Sequence, residues 1–180
     1  MPASTLEKGL EWVVGSPRDL GRLELVVGRP AVDERTIRTE AHMSATHGLV
    51  GDMWQVRPTS TTADRSPDPE RQLTLMNARF ALLVAGAPSR RALAGDQLFV
   101  DLDLSVDNVP AGTRLRLGDA VIEITAPPHR GCAKFVGRFG VEAMRFVNSE
   151  RGLRLRLRGA NARVVVDGTA EVGDFVAVER

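Results

Sequence analysis

The chain has 180 residues, of which 43% are hydrophobic and 26% are charged, and its formal net charge is +1 at pH 7. This length and composition are typical of one globular domain and exclude a largely disordered protein. The small net charge gives no general attraction to nucleic acid or anionic membrane, and no apolar run approaches the length of a membrane span. The N-terminus lacks a basic region followed by an apolar stretch. We therefore expect a single domain over residues 1–180, a cytoplasmic location, and neither nucleic acid nor membrane as a partner.

The first elements in chain order are a helix and a strand. Ser4 and Glu7 have capping-box spacing ahead of an apolar repeat of helical period, and Gly15 ends that repeat. Residues 22–27 then alternate between apolar and mainly polar side chains, which predicts a strand with one buried face. The sequence therefore predicts a short N-terminal helix followed directly by a strand.

A polar segment separates this strand from the next apolar elements. Residues 57–71 are rich in Pro, Ser, Thr and Asp and predict an exposed, mobile loop. Leu73 and Leu75 then indicate a short strand, and Asn77 is a plausible N-cap for a helix that ends at Gly86. This helix is expected to cover a sheet.

Two-residue alternation dominates the second half of the chain. A helix is predicted after Gly140, and the alternation of leucine with arginine over residues 153–158 predicts a strand whose arginines face solvent. Many short strands with two or three helices favour a mainly β fold, either a closed or a nearly closed β-barrel. The further predicted strands lie near residues 98–100, 115–117, 121–124, 161–166 and 171–179.

The single cysteine, Cys132, follows a predicted strand in a segment rich in proline, glycine and basic residues. Cationic neighbours favour the thiolate, which is the nucleophilic form and the form that binds soft metals. The same bases could hold a phosphate or another oxyanion beside the sulfur. One alternative is a buried, unreactive thiol, and another is a Cys-His hydrolase, which would need a third group to orient the histidine. A third is a zinc site formed by the cysteine with His42, His47 and His129, whose spacings match no compact ligand pattern. The basic residues within six positions of the thiol are His129, Arg130, Lys134 and Arg138.

Six segments along the chain follow a recognisable order. They are HGLVGDMW, RQLTLMN, GDQLFVDLDLS, GTRLRLGDAVIEIT, GCAKFVGRFG and the terminal RGLRLRL with AEVGDFVAVE. Together, and in this order, they resemble the MOSC domain, named for the C-terminal domain of molybdenum-cofactor sulfurases, and the similarity spans residues 18–180. The resemblance implies a stand-alone, bacterial-type member with a closed or nearly closed barrel of the MOSC and pyruvate-kinase-barrel-like type.

The resemblance also implies a cofactor and a set of residues that bind it. The cofactor is the molybdenum cofactor of molybdopterin type, and the position of Cys132 either ligates molybdenum or carries a persulfide. Pyridoxal phosphate is only an inherited association of the family, because the aminotransferase-like domain that binds it is absent from these 180 residues and no site for it is seen. The residues expected to bind the cofactor are His47, Asp52, His129, Arg130, Lys134 and Arg138.

Three functions follow from the resemblance. In the first, the protein reduces N-hydroxylated compounds at molybdenum, with electrons from an external flavin or iron–sulfur partner. In the second, Cys132 accepts a persulfide sulfur from a separate cysteine desulfurase. In the third, the barrel binds the cofactor without catalysis. The sequence indicates neither the physiological substrate nor the oligomeric state.

Two positions depart from the common pattern of the family. Gly131 precedes the cysteine where proline is usual, and Gln97 stands where asparagine is expected. We therefore expect a differently shaped cysteine loop and no carried-over polar contact from residue 97. The acidic residues of the same region, Asp96, Asp101 and Asp103, are interpreted as turn and cap residues.

Overall fold

A computed structural model describes residues 2–180, which form eleven strands and five α-helices. The helices are α1 (Ala3–Val14), α2 (Ala78–Ala85), α3 (Ala133–Phe139), α4 (Val141–Asn148) and α5 (Glu150–Arg154). The strands are β1 (Leu20–Gly28), β2 (Thr36–Arg38), β3 (Glu40–Ser44), β4 (Gly48–Leu49), β5 (Leu73–Asn77), β6 (Leu98–Asp101), β7 (Arg114–Leu117), β8 (Ala120–Pro128), β9 (Ala160–Val166), β10 (Gly168–Glu171) and β11 (Phe175–Glu179).

Seven of these strands close into a barrel. Their order around it is β1, β11, β7, β8, β9, β5 and β6, and β6 pairs again with β1. The pairing of β5 with β6 is parallel and the other six are antiparallel. β2 extends β1 outside the ring, while β10, β3 and β4 form a separate three-stranded sheet. The predicted closed β-barrel is therefore confirmed.

The apolar residues form two cores because the barrel is covered on part of its outer surface. On β1, Leu23 and Val26 pack inside the barrel, whereas Leu25 and Val27 pack with the helices. Alternating side chains of a strand point to opposite faces, and a register shift between Leu23 and Leu25 changes which positions face inward, so one strand supplies both cores. The outer core also contains residues of α1, α2, α3 and α4, including Leu10, Phe80 and Phe135.

The predicted helix starts and stops are largely confirmed. Asn77 caps α2 by accepting a hydrogen bond from the backbone N–H of Phe80 (2.9 Å), and Gly86 ends it in the left-handed conformation. The N-terminal helix is present, but its N-cap is Pro2, so the capping box predicted at Ser4 is wrong. Among residues 2–180, no helix is long and apolar enough to cross a membrane.

The region of residues 149–159 differs from its prediction. The expected strand over residues 153–158 is instead α5 followed by turns, because the Ser149 hydroxyl caps a helix by accepting from the N–H of Gly152 (3.0 Å). The expectation of solvent-facing arginines is wrong for Arg158, which is 7% exposed. α3 was also not expected, since its segment contains glycine and follows two prolines.

Candidate functional site

A groove lies at one end of the barrel, where β1 and β8 end and β6 and β9 begin. It consists of two cavities of about 340 Å³ and 210 Å³. Arg29, Met53, Arg57 and His129 line both cavities, so they are two lobes of one groove. We call the larger one the tryptophan lobe, since Trp54, Arg71 and Asn161 also line it. The smaller one, the thiol lobe, contains Cys132 together with six basic residues: Arg29, Arg35, Arg57, Lys134, Arg138 and Arg158.

Cys132 lies at the N-cap position of α3 and is exposed. Partial burial raises the pKa of its thiol. The backbone N–H groups of Phe135 and Lys134 and the charges of Arg158 and Arg138 together lower this pKa by more than burial raises it, so the net pKa is lowered. The Cys132 side chain makes no capping hydrogen bond at the start of α3. The thiol is therefore accessible and ionises more readily than an ordinary cysteine thiol, which suits a nucleophilic or metal-binding cysteine.

Asp33 neutralises part of the basic wall of the thiol lobe. Its Oδ1 accepts from Lys134 Nζ (2.9 Å) and from Arg138 Nη2 (3.1 Å), and its backbone φ is 63°. Asp33 and Lys134 are exposed and Arg138 is half-buried, and ion pairs this accessible to solvent contribute little to stability and are screened by salt. An incoming oxyanion could therefore replace this carboxylate at small cost.

Arg29 is held in the groove by a buried carboxylate. The side chain of Asp52 is fully buried and accepts from the backbone N–H (3.0 Å), Nε (2.8 Å) and Nη2 (2.9 Å) of Arg29. The same carboxylate caps the turn at Met53–Val56 by accepting from the N–H of Trp54 (3.0 Å). Asp52 therefore positions Arg29, which lines both lobes, and Trp54, which lines the tryptophan lobe, and it lines neither lobe itself.

A second buried carboxylate, Asp96, lies beneath the groove. Its Oδ2 accepts from Arg158 Nη1 (2.6 Å), and its Oδ1 lies 3.3 Å from Nδ1 of His129. Burial raises the pKa of Asp96, although the Arg158 guanidinium opposes this. Burial and the charges of Arg158, Arg29 and Arg71 hold the pKa of His129 well below its usual range, so this imidazole is neutral at neutral pH.

The structure brings together some of the residues expected at the site. Cys132, His129, Lys134 and Arg138 line the thiol lobe. Arg130 is exposed and lines neither lobe, because the chain turns after β8 and its side chain lies beside a separate cavity bordered by Arg156. His47 is exposed in the turn between β3 and β4 and also lines neither lobe.

Sequence analysis missed several residues of the groove. Arg29, Arg35 and Arg57 come from segments far from the cysteine, and Asp96 is a buried ion-pair partner in addition to any role in its turn. A lone arginine in a loop carries no local pattern that separates it from a solvated one. Only the Gly-Asp-Met-Trp segment around Asp52 carried a signal, through the resemblance described above.

The charge of Arg138 should affect the reactivity of the thiol. We expect Arg138→Gln to raise the pKa of Cys132 and to slow its alkylation by iodoacetamide at neutral pH about two- to fivefold, with a smaller effect at high salt. The measurement is the alkylation rate as a function of pH. Arg145→Gln removes an exposed arginine paired with Glu142 on α4 and should leave the rate unchanged. Equal rates in both variants would contradict a cationic influence on the sulfur.

Comparison with known proteins shows similarity in fold at low sequence identity. No protein-family model matches the chain, and no curated protein matches its sequence. The structure of the YuaD protein from Bacillus subtilis is 14% identical, with a TM-score of 0.62 over 88% of this chain and 95% of that one. YiiM from Escherichia coli is 18% identical, with a TM-score of 0.57 over 88% and 70%. YiiM from Geobacillus stearothermophilus is 15% identical, with a TM-score of 0.60 over 89% and 75%.

Proposed function

We propose that this chain is a MOSC-type protein that binds the molybdenum cofactor through Cys132 and reduces N-hydroxylated compounds with electrons from an external partner. The observation that carries the proposal is an exposed thiol of lowered pKa in a lobe with six basic residues. YuaD and YiiM, whose folds are similar, are MOSC-domain proteins, which supports the family assignment. The substrate class comes from the family resemblance.

The residues of the groove fit a phosphate-bearing pterin. The Nε–H groups of Arg35 and Arg158 are buried and donate to nothing within residues 2–180. Buried donors without partners are costly, and a phosphate is an acceptor suited to arginine. Trp54 in the neighbouring lobe offers an aromatic face for a planar ring. Arg35, Arg57 and Arg158 would hold the anionic group, and Cys132 would be the protein's ligand to molybdenum.

When bound, the molybdenum would supply the two-electron chemistry that removes an oxygen atom from an N-hydroxylated compound. In the overall reaction the N–O bond breaks, two electrons and two protons are consumed, and an N–H compound and water are released. The chain has one cysteine and so cannot itself hold a cysteine-ligated iron–sulfur cluster, and the electrons would come from a flavin or iron–sulfur partner. The basic residues of the thiol lobe would bind the anion and orient it beside the sulfur.

A second candidate function is sulfur transfer, which the exposure of Cys132 favours. A cysteine desulfurase that carries a persulfide would approach the rim of the groove. The Cys132 thiolate would attack the outer sulfur of that persulfide, so that an S–S bond forms on Cys132 and the donor leaves as a thiolate. This function requires an accessible thiolate but no resident metal.

The experiment that separates these functions is metal and pterin analysis of protein purified from a host that makes the cofactor. We expect wild-type protein to carry molybdenum and pterin, and Cys132→Ser to retain at least tenfold less molybdenum. His47→Gln, an exposed residue outside the groove, is the matched control and should retain both. A persulfide on Cys132 without molybdenum would replace the reductase with the sulfur carrier. Pterin bound without turnover of an N-hydroxylated amidine would favour a cofactor-binding module.

A further inference from the structure

Three side chains at the floor of the groove form a chain of polar contacts, and the function proposed above uses only Arg158 among them. Asp96 is completely buried, Arg158 is more than nine-tenths buried, and the side chain of His129 is 17% exposed. Arg158 Nη1 donates to Asp96 Oδ2, and Arg158 Nη2 donates to the carbonyl of Ala94 (3.1 Å). One oxygen of Asp96 is therefore fixed on Arg158, and the other faces His129.

Two buried polar atoms that take no part in these hydrogen bonds lie next to each other. Asp96 Oδ1 and His129 Nδ1 are both buried without a hydrogen-bond partner within residues 2–180, and they are 3.3 Å apart. As the ring stands, the two atoms are not aligned as a hydrogen bond. A carboxylate oxygen only accepts, so a rotation of the imidazole satisfies both atoms when Nδ1 carries the proton. A neutral imidazole has one N–H group, and its other nitrogen, Nε2, then has a free lone pair.

The ring of His129 borders the groove. His129 lines both lobes and also the neighbouring cavity beside Arg130, and Nε2 has no hydrogen-bond partner within residues 2–180. The two ring nitrogens point in nearly opposite directions, so contact of Nδ1 with Asp96 turns Nε2 away from the buried carboxylate. Almost every other polar group of the thiol lobe is a cationic donor, which makes an acceptor at this point chemically distinct.

We infer that Asp96 and Arg158 hold His129 as the Nδ1–H tautomer, and that Nε2 is a fixed hydrogen-bond acceptor which selects substrates carrying an O–H donor. This inference rests on the proposed function for the identity of the substrate, an N-hydroxylated compound whose hydroxyl would donate to Nε2. Asp96 and Arg158 are positioning residues, and His129 is the residue that contacts substrate. The neutral substrate would be recognised through its hydroxyl donor at Nε2, while the surrounding arginines would bind the anionic group of the cofactor.

The sharpest test is Asp96→Asn, because the contacts of residue 96 are directional. Arg158 can only donate, so the amide oxygen of the asparagine would face Arg158 and its NH₂ would face His129. Nδ1 must then accept, and the proton moves to Nε2. We expect nitrogen-15 NMR of protein without cofactor to show a protonated Nδ1 and a bare Nε2 in the wild type, and the reverse in Asp96→Asn.

Assignment and control come from the two other histidines of the chain. His42→Gln and His47→Gln each remove one of the other imidazole signals and should leave the tautomer of His129 unchanged, since both residues are exposed. The wild-type spectrum alone decides the inference if Asp96→Asn fails to fold. A bare Nδ1 in wild-type protein, or the same tautomer in both proteins, would overturn it.

The proposed contact between Nε2 and the substrate hydroxyl is tested by activity measurements on cofactor-loaded protein. The two substrates are N-hydroxybenzamidine and its O-methyl ether, which lacks the hydroxyl donor. We expect wild-type protein to prefer the hydroxyl compound in kcat/KM by about tenfold, and both Asp96→Asn and His129→Phe to lose this preference. An unchanged preference in both variants would contradict the role of Nε2. Inactivity of loaded wild-type protein would instead refute the reductase function and the substrate assignment with it, while the NMR result would still decide the tautomer.

Discussion

Replacing Gly159 by alanine is expected to lower the free energy of unfolding by about 4 kcal/mol. Gly159 has a φ of 113°, a conformation that side chains with a Cβ rarely adopt. A Cβ at this position would lie 2.1 Å from the backbone oxygen of Leu75 on β5, so the backbone itself would have to move. Because Ala160 pairs with Leu75, that movement would separate β9 from β5 and open the barrel next to the groove.

Gly112→Ala is the matched control for this prediction. Gly112 also has a positive φ of 89°, but a Cβ there would meet no atom within 4 Å. Its replacement should cost only the backbone strain, about 1 kcal/mol, in a urea unfolding experiment on both variants. A loss of similar size in both proteins would mean that the contact with Leu75 is relieved without disturbing the barrel. A much larger loss in Gly159→Ala would locate the cost in the packing of β9 against β5.

The barrel was predictable because its signals are local. Each strand with one polar face shows two-residue alternation, and Asn77 and Gly86 mark both ends of α2. The error over residues 153–158 has a physical cause, since alternation of leucine and arginine also fits a short helix followed by turns. There, the Ser149 cap and the left-handed turn at Arg156 decide the conformation.

The groove was predictable only around its cysteine. Lys134 and Arg138 are close to Cys132 in the sequence, and the first turns of α3 bring their side chains to the same lobe. Arg35 and Arg57 reach that lobe through barrel closure, which periodicity does not specify. The orienting partner of His129, which the sequence did not identify, is Asp96, more than 30 residues away and visible only once β6 and β8 have been placed.

The second large effect is expected for Arg158→Met, which should lower the free energy of unfolding by about 3–5 kcal/mol. Methionine keeps much of the side-chain volume over the ring of Phe135, 5.2 Å from the guanidinium carbon. The loss would therefore come mainly from the carboxylate of Asp96, left completely buried without its cationic partner. Arg154→Met is the matched control, because Arg154 is 71% exposed and its pair with Asp107 should contribute less than about 1 kcal/mol.

The dependence on pH identifies the charge responsible for this loss. Burial already raises the pKa of Asp96, and removing Arg158 takes away the group that opposes this rise. A carboxyl group whose folded pKa lies above its unfolded value binds more protons in the native state, so stability falls as pH rises through that window. The penalty of Arg158→Met, measured by urea unfolding, should therefore be smaller at about pH 5 than at about pH 8, because the buried carboxyl can take up a proton. A penalty independent of pH would mean that Asp96 is not the uncompensated charge, and the loss would then lie in packing against Phe135.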